Sequence, residues 1–135
     1  MTVSDPSPTA ADAAEGPVRL SLPASPRYLA AARVVATSLG AERGLTVDDL
    51  DDLRLGVNEL VSVLVESSRP GDRVELEFEA IGPSVTVRGQ RSGSVGAPME
   101  VDDLTARIVE AVADHHLIDG TSFSLTKVSS LRDSS

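Results

Sequence analysis

The chain has no cysteine in its 135 residues. Disulfide bridges and thiolate metal sites are therefore excluded. Tryptophan is missing too, and aromatic residues make up only 2% of the chain. The core must then be aliphatic, built from Leu, Val and Ala. Basic residues are scarce: 12 Lys and Arg stand against 21 Asp and Glu, a formal net charge of −9. That balance argues against a nucleic-acid surface, which needs clustered Lys and Arg, and against an anionic membrane. No apolar run approaches the ~20 residues of a membrane span, and the N-terminus lacks the basic-then-apolar order of a signal peptide. The expectation is a soluble, cytoplasmic, single-domain protein that meets proteins or small ligands.

Residues 1–16 are Ser, Pro, Ala, Asp and Gly with little apolar bulk, and they read as a disordered tail. Val18 to Leu22 alternates apolar and polar residues, a half-buried strand stopped by Pro23. Ser25 is placed to cap a helix with Pro26 in its first position. That helix runs from Tyr28 to Leu39, with Leu29, Ala32, Val35, Ala36 and Leu39 as its buried stripe and Gly40 and Gly44 bracketing its end. Thr46 caps the next helix, and Asp48 and Asp49 complement its dipole. Leu50, Leu53, Val57, Leu60, Val61 and Leu64 form its stripe, running to about Val65.

Arg73 to Ala80 alternates strictly, with Val74, Leu76 and Phe78 inward, and Val85 to Val87 is its hairpin partner across Gly82-Pro83. Residues 89–100 are polar and Gly-rich and read as a long loop. Asp102 or Asp103 opens a third helix with Leu104, Ile108, Val109, Val112 and Ala113 inward. His116 to Ile118 is a short strand, Asp119-Gly120 a hairpin turn, and Thr121 to Lys127 the last strand. The ordered domain spans 17–128, and 129–135 frays. The order β-α-α-β-β-α-β-β predicts an α+β, two-layer sandwich: a mostly antiparallel sheet with three helices on one face.

Few residues suggest chemistry on their own. The adjacent His115 and His116 lack spaced partners and make a poor metal site; a helix end, where His complements the dipole, explains them. Asp48, Asp49, Asp51 and Asp52 lack the loop spacing and Gly of a Ca²⁺ site. No Ser-His-Asp set, P-loop or Zn pattern is present, and no metal site is expected.

Three stretches together resemble one family. They are Leu22-Pro23-Ala24 followed by Ala32-Arg33, then Asp51-Asp52-Leu53-Arg54-Leu55-Gly56-Val57-Asn58-Glu59-Leu60-Val61, and finally the helix Ile108 to Asp114 followed by Asp119-Gly120-Thr121. In this order they are similar to the bacterial anti-sigma factor serine kinases, a branch of the GHKL (Bergerat-type) ATPases. The resemblance implies the GHKL sandwich, ATP and Mg²⁺ as cofactors, a sigma factor and a STAS-domain antagonist as partners, and a C2 homodimer formed through the sheet. It implies Glu59 as general base, and Arg33, with Tyr28 nearby, as the surface that docks the partners.

The chain departs from the family at three places. The metal-binding Asn expected four residues after Glu59 is Val63. The family's Asp-x-Gly-x-Gly turn, whose Asp accepts the adenine amine, aligns with Gly89 to Gly93, where only Gly93 survives as a cofactor-binding candidate. The phosphate cradle aligns with Met99-Glu100-Val101-Asp102-Asp103, which sets carboxylates where phosphate would sit. The favoured reading is an anti-sigma-factor-like binding protein with nucleotide binding weak or lost. The alternatives are an active serine kinase that phosphorylates its antagonist, and a degenerate interaction domain of another signalling pathway.

Overall fold

The computed structural model describes residues 16–93 and 96–131. Five strands form one sheet in the order β1-β2-β3-β5-β4. They are β1 (Val18–Pro23), β2 (Arg73–Ile81), β3 (Ser84–Ser92), β4 (His115–Asp119) and β5 (Ser122–Val128). Every pairing is antiparallel. A short 3-10 turn, Pro26–Tyr28, leads into helix α1 (Leu29–Glu42), followed by α2 (Val47–Glu66) and, after β3, α3 (Asp103–Val112). The expected order and class are what the structure shows: an α+β sandwich with the helices on one face.

The two faces of the sheet follow from parity. Val74, Leu76 and Phe78 of β2, Val85 and Val87 of β3, and Phe123 and Leu125 of β5 are buried towards the helices. Glu75, Glu77 and Glu79 alternate with them and face outward. There Arg19 meets Glu77 at 3.2 Å and Arg88 meets Glu79 at 3.1 Å. From above, α2 supplies Leu53, Val57, Leu60, Val61 and Leu64, each no more than 1% exposed. This is the stripe expected from the three/four spacing.

Several boundaries differ from the sequence expectation. Gly40 does not end α1 but lies buried inside it, because a Cβ there would come within 2.8 Å of Leu50 Cδ2. Ser25 makes no side-chain cap. Strand β3 runs on to Ser92, so the expected loop begins four residues late. Leu104 is 68% exposed rather than inward. His115 and His116 belong to β4, not to a helix end. Beyond β5 the chain does not fray at once: Ser129 is buried and its N–H donates to the Pro83 carbonyl at 2.8 Å. Residues 1–15, the expected tail, and 132–135 lie outside the described residues.

Candidate functional site

Helix α2 carries the stretch on which the chemistry would turn. Thr46 accepts a hydrogen bond from the Asp49 N–H at 3.1 Å, and Asp49 accepts one from the Thr46 N–H at 3.0 Å. This reciprocal cap fixes where the helix starts and thereby the angular place of every later residue. Glu59 and Val63 lie four apart, on one face. Glu59 is half-buried, and its Oε1 accepts from the Thr105 hydroxyl of α3 at 3.3 Å. Val63 is 8% exposed and belongs to the apolar core. Asn58 faces elsewhere: its Oδ1 accepts from Arg33 Nη1 at 2.7 Å. A helical step of 100° accounts for that divergence.

After β3 the chain is described at Gly93 and again from Gly96. Gly93 has φ +125°, a region that favours glycine, and a Cβ there would come 2.6 Å from Asp72 Oδ1. The close approach of Asp72 is a structural reason for this glycine. Met99 is 8% exposed within the core, and its N–H donates to the Gly120 carbonyl at 2.8 Å. Val101 packs against the same core. Asp102 then caps α3, accepting from the Thr105 N–H at 2.7 Å. That hydrogen bond holds the Asp102 carboxyl below its ordinary range. The helix start is therefore occupied by its own carboxylate, which is the role the dipole favours for an anion.

Sequence reasoning missed Arg91. It is only 9% exposed, and its Nη1 donates to the Ser67 carbonyl at 2.6 Å and to Ser67 Oγ at 3.0 Å. The guanidinium thus caps the C-terminal end of α2, where a cation complements the dipole. The signal was available: Val85, Val87, Gly89 and Arg91 share one parity, so a strand carried on through Gly89 turns Arg91 inward.

Residues 22–116 match the family described as Histidine kinase-like ATPase domain. The chain belongs to this family. No match to a curated protein is found. At the positions that the resemblance assigns to the family's nucleotide boxes, the side chains do not fit a metal-bound nucleotide. Val63 offers no oxygen to a cation. No Asp occurs between residues 73 and 101, and Asp102, the first one after β3, is engaged in capping α3. Residues 89–92 are strand rather than turn. Met99 fills apolar space near the start of α3. Among the described residues no group of three or more His, Cys, Asp or Glu side chains is arranged to hold a metal ion.

The other surface singled out by sequence lies across α1 and α2. Arg33, Asp51, Arg54, Leu55 and Asn58 line an open depression of about 420 Å³. Arg33 is half-buried rather than fully exposed, held by Asn58. Beside it Arg54 pairs with Asp51 at 2.9 Å, and Leu55 is 41% exposed. Tyr28 packs against the core with the Arg27 guanidinium 5.8 Å from its ring centroid, a cation–π distance. Among the described residues no helix is long and apolar enough to cross a membrane.

Proposed function

We propose that this chain is an anti-sigma-factor-like regulatory module. It binds and sequesters a sigma factor, and a STAS-domain antagonist releases that factor by competing for the same surface. Nucleotide binding is weak or lost. One observation carries this reading: Val63, at the place of the family's metal-binding Asn, is core, and the Glu59 beside it is bonded to Thr105. A scaffold that keeps its fold while its own side chains fill the catalytic boxes has binding left as its function. The depression at Arg33 supplies a surface for it. The Arg33–Asn58 bond presents the guanidinium in one place, and a preset Arg beside an exposed Leu55 has the composition of an interface anchor.

The test separates docking from folding. Arg33→Glu should abolish binding to purified sigma factor in a titration, while losing only about 1 kcal/mol of stability with the Asn58 bond. Asn58→Ala removes the same bond but keeps the guanidinium, and should weaken binding far less. Equal affinity for Arg33→Glu and the unmodified chain would sink this placement of the surface.

An active serine kinase is the second reading. Its one favourable observation is that Glu59 is present on α2 and only half-buried. Transfer of labelled γ-phosphate to a Ser of a STAS protein would establish it.

A further inference from the structure

The Arg33 guanidinium is half-buried, and its partner among the described residues is the neutral Asn58. Arg19, Arg54, Arg88 and Lys127, by contrast, each meet a carboxylate within 3.2 Å. In the depression that Arg33 lines, Asp51 offsets the charge of Arg54. One positive charge is left over, which suits a single carboxylate.

Exposed apolar side chains flank this cation on the outer surface of all three helices. Val34 stands two residues from both Ala32 and Ala36, which are buried, so a turn of about 200° points it away from the core. Leu55 stands in the same way between the buried Leu53 and Val57. On α3 the side of the helix decides. Val109 faces the core. Thr105 and Val112 face α2: Thr105 bonds Glu59, and Val112 Cγ2 lies 3.4 Å from the place of a Cβ on Gly56. Measured from Val109 at 100° per residue, Thr105, Val112, Ile108 and Leu104 stand at about 40°, 60°, 100° and 140° in one sense. That progression leads from the core, past α2, to the outer surface. Leu104 is therefore exposed on the flank towards α2, on the same face of the helix layer as Leu55.

We propose that the docking surface runs from Arg33 over Leu55 to Leu104, and that what docks there is an amphipathic helix of the partner. That helix gives one carboxylate to Arg33 and apolar side chains to Leu55 and Leu104. The inference rests on the sequestering role proposed above and adds the third helix and the chemistry of the partner segment. Main-chain accounting selects a helix. Along their lengths α1, α2 and α3 spend their N–H and C=O groups on themselves. An extended segment laid over them would bury backbone groups without partners. A helix satisfies its own backbone and offers side chains three, four and seven residues apart to one surface. Neighbouring helix axes lie about 8–10 Å apart, so Arg33 and Leu104 are separated by roughly 10–15 Å, or two to three helical turns. The carboxylate and the far apolar residue of the partner then stand about 7–11 residues apart. In a chain of net charge −9 an acidic group is disfavoured over most of the surface, which makes the Arg33 guanidinium a register mark.

Titration of purified sigma factor into variants of the full chain tests this. Leu55→Ala and Leu104→Ala should each weaken binding at least about tenfold, with melting temperatures unchanged because both side chains are exposed. Ile81→Ala, exposed on the outer face of the sheet, is the control and should change affinity less than about twofold. In a Lys scan of the Asp and Glu residues of the sigma factor, one substitution should abolish binding to the unmodified chain and restore it to Arg33→Glu. Ala substitutions near that acid should couple to Leu104→Ala at spacings of three, four and seven residues. If Arg33→Glu abolishes binding while Leu104→Ala leaves it unchanged, this inference is overturned and the sequestering role stands. If the unmodified chain binds no sigma factor, both fall. Failure of every charge exchange would remove the carboxylate, and coupling at every second residue would mark an extended segment; either result overturns the proposal.

Discussion

At Asp49 a single carboxylate joins the start of α2 to Ser130, 81 residues away. Besides the Thr46 N–H, its Oδ2 accepts from the Ser130 N–H at 3.0 Å and from Ser130 Oγ at 3.1 Å. Burial pushes its pKa up, but the hydrogen bonds from Ser130 and Thr46 outweigh that and hold it below the ordinary carboxylate range. Asp102 is lowered in the same direction by the Thr105 N–H. A group whose pKa is lower folded than unfolded stabilises fully above its unfolded value and loses that stabilisation as pH falls through the folded one. Thermal melts should therefore show stability declining below about pH 4. Asp49→Asn should be less stable by about 1–2 kcal/mol at neutral pH, with the difference shrinking towards pH 2.5. An unchanged gap at both ends would refute the role given to the charge. Half of this contact was legible beforehand, since Thr46 and Asp49 stand at capping-box spacing. The Ser130 half was not, because no local pattern joins residues 81 apart.

Strand β3 shows why element boundaries were harder to read than element types. Its first half alternates Val85-Thr86-Val87, but Gly89, Gln90, Arg91 and Ser92 carry turn-forming and polar residue types. The ladder continues regardless, because Gly89 lies between two large neighbours. It pairs with Leu76 on one side and Phe123 on the other. A Cβ at Gly89 would come 2.5 Å from Phe123 Cε2 and 2.9 Å from Leu76 Cδ2. The glycine thus makes room for the ring. Gly89→Val should lower stability by about 1–3 kcal/mol through overpacking, and Phe123→Leu should recover part of that loss in a double-mutant cycle. Fully additive losses would contradict the contact. Helix α3 gives the converse case. Leu104 was expected inward, yet Thr105, not Leu104, stands four and seven residues before Val109 and Val112 and so shares their face. Tertiary docking selected the polar residue for the contact with Glu59.

Across the whole molecule, class, element order and the broad histidine kinase-like ATPase family were legible, because they rest on long periodic stretches and on the order of three motifs, while the anti-sigma branch stays a proposal. The candidate site was legible mainly as a set of replacements. Val63 could be read as apolar at once, but that Met99 is buried and Glu59 bonded to Thr105 depends on how α3 packs on α2. Arg33 was singled out as a docking residue by the family resemblance. Its tie to Asn58 could not be foreseen, because it joins two helices 25 residues apart in sequence. The central claim is that this histidine kinase-like ATPase domain keeps the fold without the nucleotide chemistry. Titration calorimetry of the full chain with ATP and Mg²⁺ tests it most directly. No binding up to millimolar nucleotide is the predicted result, and saturable binding in the micromolar range would contradict it.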